Sequence, residues 1–148
     1  MNFQTAAAVV PPVIVEPRAP IIGLLRALLL GEAALGIAVA IFLSALAAGL
    51  RTFIGGDEGR AAEEGVRFAA GGAILFAIGA AIASRGARHR RTWAWTLAAI
   101  LQLVLAIGTG VAIMVAEWHP AYLIGFGLAA IVMVVLSTGS VRRALGQH

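Results

Sequence analysis

The sequence predicts an all-α fold: a polytopic membrane protein built as an antiparallel bundle of four transmembrane helices, with both termini on the cytoplasmic side. Three observations predict it. Hydrophobic residues make up 61% of the 148 residues and charged residues only 12%, against roughly 45–50% and about 25% in soluble domains. Apolar runs near the ~20 residues that a bilayer-spanning helix needs recur between short polar connections. The arginines divide unequally across those connections, and positive charge marks the cytoplasmic side of a membrane protein.

Residues 1–20 are expected to form a proline-rich cytoplasmic tail. Pro11, Pro12, Pro17 and Pro20 are four of the five prolines, and proline removes a backbone donor and drives the preceding residue out of the helical region. A cleaved signal peptide fits poorly, because no basic residue precedes Arg18 and signal peptides carry positive charge ahead of the apolar segment. Residues 21–148 form the transmembrane domain.

The first span is predicted at residues 21–50, longer than the ~30 Å hydrocarbon core at 1.5 Å per residue. Its first turns, with Arg26, are therefore expected in the interface, and Pro20 suits a first helical turn. Residues 51–65 are a polar connection containing Asp57, Glu58, Glu63 and Glu64, expected to turn at Gly55 and Gly56 and then lead helically into the second span at 66–84. Arg85, Arg88, His89, Arg90 and Arg91 make a tight basic loop, short enough to leave spans two and three as antiparallel neighbours. The third span covers residues 93–116 and the fourth 122–137, with Glu117, Trp118, His119 and Pro120 between them. Trp93, Trp95, Trp118 and Tyr122 fall at span ends, where aromatic belts lie. A short polar tail follows Arg142 and Arg143.

Arg18, Arg26, Arg85, Arg88, Arg90, Arg91, Arg142 and Arg143 fall on one side of such a bundle, and Arg51, Arg60 and Arg67 on the other. Eight against three places the N-terminus, the middle loop and the C-terminus in the cytoplasm. The arginines bracket apolar spans and are not interleaved with aromatics in a stripe, so no nucleic-acid partner is expected. There is no cysteine, which excludes thiol chemistry, disulfides and Cys-ligated metal. All eleven basic residues are arginine in an Ala- and Gly-rich chain, a bias expected of a GC-rich bacterial genome and hence of a bacterial plasma membrane.

Two polar residues lie inside the predicted spans. A carboxylate at the bilayer centre costs on the order of 2.5–3.5 kcal/mol, so Glu32 must be paired, solvated or used. With the hydrocarbon beginning near Leu28, Glu32 would sit about 6 Å deep. It is either a protonatable or substrate-binding site, or an interfacial residue paired with Arg26 or an arginine of the basic loop. Gln102, roughly 13 Å deep in span three, is either an interhelical hydrogen-bond partner, contributing about 0.6–2 kcal/mol, or a substrate contact.

Small residues recur every fourth position at Gly36, Ala40, Ser44 and Ala48, and again at Gly65, Ala69, Ala73, Ala77 and Ala81 and at Gly108, Ala112 and Ala116. Such flat faces let helix backbones approach within one chain, against a second copy or against another membrane protein. Arg85, Arg88, Arg90 and Arg91 could contact anionic lipid headgroups at about 1 kcal/mol each, although their topogenic role also explains them. The acidic connection lacks a calcium-loop pattern. His119 and Glu117 alone are too few for zinc. Hydrolase, metalloprotease and phosphate-loop motifs are absent. No catalytic residue, metal or cofactor is expected.

The steps Arg91–Trp93–Trp95, Leu101–Gln102, Trp118 and Arg142 to Leu145 resemble those of small four-span integral membrane proteins common in actinobacteria, mainly in the C-terminal half. That resemblance implies a membrane location and no activity. Glu32 in a first span of four is also similar to the small multidrug transporters, and implies proton coupling there. Those transporters are shorter and carry little arginine bias. The leading expectation is a non-enzymatic accessory or scaffold subunit, with the proton-coupled transporter as the alternative.

Overall fold

A computed structural model describes residues 20–115 and 120–146. Apart from Pro20, the proline-rich tail lies outside them, as do Glu117, Trp118, His119 and His148. The described chain is helical, with α1 at Pro20–Ile54, α2 at Gly56–Arg88, α3 at Thr92–Val115, α4 at Pro120–Ser137 and α5 at Gly139–Ala144. Three helices, α1, α2 and α3, are long and apolar enough to cross a membrane, and α4 is a shorter apolar helix. At 1.5 Å per residue these four run about 52, 50, 36 and 27 Å.

Helix ends follow local chemistry. Pro20 opens α1, where a missing donor costs nothing. Gly55 ends it at φ 70° and ψ 176°, a region open essentially to glycine. The polar stretch expected as a connection is thus itself helical, and the turn falls at the two glycines expected for it, Gly55 between the helices and Gly56, at φ 60°, opening α2. Ala61, Ala62, Glu63 and Glu64 are strong helix formers. Asp57 and Glu58 in the first turn and Arg85 and Arg88 in the last complement the α2 dipole. Glu63 pairs with Arg67 one turn on, at 2.6 Å. Loss of hydrophobicity in this segment therefore does not mark a helix end.

The basic loop shrinks to residues 89–91, because Arg85 and Arg88 still belong to α2. The amides of Arg90 and Arg91 donate to the carbonyls of Ala87 and Gly86, and Arg90 adopts φ 51° to close the turn. After α4, the stretch expected as a polar tail folds instead into α5. Val141 within it and Leu145, its C-cap, are four residues apart, fully buried, and flank two outward arginines.

The helices α1 and α2 form the most extensive pair, followed by α3 with α4 and α2 with α3. Buried positions on α1 recur every seven residues at Ala33, Ala40 and Ala47, matched on α2 by Ala70, Ala77 and Ser84. A seven-residue repeat of small side chains holds two helices in a close left-handed crossing. A Cβ added to Gly36 would stand 3.1 Å from the Ala77 Cβ and 3.2 Å from the Ala73 carbonyl oxygen, so only glycine fits there without displacing α2.

The larger core lies at one end, where α1 begins, α2 ends, α3 begins and α4 runs into α5. Leu25, Leu29, Ala83, Ala98, Val132, Leu136, Val141 and Leu145 are among its buried members. Trp95 spans it and donates its indole Nε1–H to the Leu136 carbonyl at 3.0 Å, so it is an inward anchor, while Trp93 stays half exposed over Gly86. Among the described residues of α3 after Gln102 and of α4 before Ala129, none is fully buried. The bundle is therefore tight at this arginine-bearing end and looser towards the other.

Candidate functional site

Glu32 and Gln102 meet. Glu32 lies twelve residues into α1 and Gln102 ten into α3, about 18 and 15 Å from helix starts at the same end of the bundle. The two residues therefore stand at one level. Gly79 lets α3 draw in on this side: a Cβ there would lie 3.0 Å from the Leu101 side chain. Gln102 Nε2 donates to Glu32 Oε2 at 2.7 Å, joining α1 to α3 across the bundle.

The pair is closed off. Glu32 is 2% exposed and Gln102 0%. Their remaining oxygens, Glu32 Oε1 and Gln102 Oε1, are buried without a hydrogen-bond partner. Both are acceptors, which is an unstable arrangement in a medium that cannot hydrate them. One proton on Glu32 converts an acceptor into a donor. A carboxylic acid and a carboxamide then each carry one donor and one acceptor on adjacent atoms, the complement needed for two reciprocal hydrogen bonds.

The expected pairing of Glu32 with Arg26 or the basic loop is not what the structure shows. Arg26 precedes Glu32 by six residues, and at 100° per residue that separation puts the two on different faces of α1. Arg26 turns instead towards α2, where it lines a polar pocket with Ser84, Arg85, Arg88 and His89. Neither Glu32 nor Gln102 lines that pocket. Arg90 and Arg91 are exposed and lie outside it.

Of the small-residue face on α1, Gly36 and Ala40 pack on α2, whereas Ser44 and Ala48 are exposed. Ser44 Oγ donates to the Ala40 carbonyl of its own helix at 2.7 Å. Among the described residues, no three His, Asp or Glu side chains gather as a metal site. Sequence reasoning missed Ser84 and Arg26 as partners across α1 and α2. Their only signal was that both are polar residues near span ends on the same predicted side.

No family model matches the chain, and no curated protein or solved structure matches it.

Proposed function

We propose that the chain is a non-enzymatic, four-span integral membrane protein of a bacterial plasma membrane, with both termini cytoplasmic, acting as an accessory or scaffold subunit that binds another membrane protein or a second copy of itself. The observation that carries this reading is the closed Glu32–Gln102 pair. A carrier exposes its coupling residue to water from each side in turn, whereas here the intramembrane carboxyl is occupied by the amide of Gln102. Its natural role is to fix the register of α1 against α3, as buried polar pairs do in helix bundles. On this reading the outward faces of the helices are the working surface. Gly23 and Gly31 on α1 have no other atom near a would-be Cβ, and Ala27 between them is exposed. These open positions match the small-residue packing that α1 already uses against α2.

The second reading, a proton-coupled transporter with Glu32 as the titrating site, is favoured by one observation only. The two unpartnered oxygens leave room for a proton that comes and goes. The resemblance to small actinobacterial membrane proteins is in keeping with the first reading and assigns no activity.

Extraction of the tagged chain from its native membrane into lipid nanodiscs, followed by native mass determination, separates the two. A foreign subunit in fixed stoichiometry, or a defined homo-oligomer, is the expected result. A monomer that moves protons with a solute, and stops doing so on Glu32→Gln, would overturn the accessory reading.

A further inference from the structure

The arginine-bearing end holds a second constellation that the Glu32–Gln102 pair does not explain. A pocket of about 410 Å³ opens between α1 and α2, lined by Arg26, Leu30, Ala81, Ser84, Arg85, Arg88 and His89. Three guanidiniums and an imidazole therefore converge with no acid among the lining residues. The ion pairs at the far end of α2 engage Arg60 and Arg67 and none of these arginines. Arg26 Nε is buried and has no hydrogen-bond partner, although a guanidinium is a fixed fork of donors suited to bidentate oxyanions. Cations gathered around a buried, unused donor are stabilised by an anion placed among them.

The pocket is graded along the helices, and the grading identifies the anion. Arg88 and His89 stand at the end of α2, Arg26, Ser84 and Arg85 come next, and Leu30 and Ala81 lie one turn deeper. Ser84 Oγ lies 3.5 Å from the Arg26 carbonyl, so the two helices come together at that middle level. Leu30 is 49% exposed, so the deep end opens sideways onto the apolar flank of the bundle. A polar mouth above an apolar, laterally open floor has the order of a phospholipid, phosphate first and acyl chains below. Free phosphate makes no use of the floor.

We propose that this cleft is a binding site for an anionic glycerophospholipid, its phosphate held by Arg26, Arg85 and Arg88 and its chains lying along Leu30 and Ala81. Arg90 and Arg91, although part of the same basic run, take no part. The site is independent of whether the chain is an accessory subunit or a carrier.

The test is native mass spectrometry and thermal unfolding of the full chain in phosphatidylcholine nanodiscs carrying rising fractions of phosphatidylglycerol, against inorganic phosphate alone. Phosphatidylglycerol should be retained on the wild type and raise its melting temperature. Arg88→Gln, at an exposed position that packing does not need, should weaken retention about fivefold, the equivalent of about 1 kcal/mol for one arginine near the surface, and Arg26→Gln at least as much. The double variant Arg90→Gln/Arg91→Gln removes more charge from outside the pocket and should leave retention unchanged. Equal loss in the pocket and outer variants would overturn the site in favour of diffuse attraction. Stabilisation by inorganic phosphate to the same extent would overturn the lipid, and no retention of phosphatidylglycerol would overturn both.

Discussion

At the scale of single residues, two polar side chains in separate spans complete each other. Glu32 and Gln102 were both visible in the sequence as costly residues in apolar surroundings, but their partnership was not. Measuring depth from a hydrocarbon edge near Leu28 puts Glu32 shallow and Gln102 deep. Measuring from the helix starts at Pro20 and Thr92 puts them level, since α1 and α3 run in the same direction. Hydropathy locates the bilayer, and only the helix ends fix the register. The pairing makes a definite prediction for equilibrium unfolding in mixed micelles. Glu32→Gln keeps two complementary amides and should change stability by less than about 0.5 kcal/mol. Gln102→Leu strands a buried carboxyl and should cost about 1–3 kcal/mol. Glu32→Leu combined with Gln102→Leu should recover part of that loss, with a coupling of about 0.6–1.7 kcal/mol. Equal losses from Glu32→Gln and Gln102→Leu, with no coupling, would mean that the two side chains act separately.

At the scale of the helices, the sequence showed that small residues would form the packing face, and the structure shows which of them do. A strict four-residue run advances 400° per step and so drifts about 40° around the helix each time. Gly36 and Ala40 remain on the interface, while Ser44 and Ala48 have rotated out of it. The face that stays buried follows the seven-residue repeat Ala33, Ala40, Ala47, averaging 3.5 residues per turn. Alanine is so frequent in the chain that both spacings can be drawn through it, and only the partner helix selects one. Gly36→Leu should therefore force α1 from α2 and destabilise the protein by about 1–3 kcal/mol or more, as read by thermal unfolding. Ser44→Leu should stay within about 0.5 kcal/mol in the isolated chain. A loss of oligomer or partner on Ser44→Leu, with the monomer's stability intact, would assign that rotated face to an external interface. Helix termini were less legible, because α1 and α2 continue through polar sequence that hydropathy reads as a loop. The α5 segment was hidden for a related reason: Val141 and Leu145 give too short a pattern to be told from a tail.

At the scale of the molecule, the fold class was legible and its asymmetry was not. Composition and apolar periodicity suffice for an all-helical, multi-pass chain, because they measure the solvent the surface must face. They do not report that the buried core gathers at the arginine-bearing end, where α5 and the Trp95 anchor close it. The two proposed readings differ over the neighbouring Glu32–Gln102 pair, since the scaffold reading requires it to stay sealed and the carrier reading requires the bundle to open to it. The most direct test is infrared spectroscopy of the protein in nanodiscs on transfer to D2O, with the Glu32 carboxyl band assigned by its loss in Glu32→Gln. A protonated carboxyl that exchanges slowly, on the timescale of opening of the bundle and not of mixing, is the predicted result. Exchange complete on mixing, or an ionised carboxylate in its place, would show water at Glu32 and contradict the sealed pair.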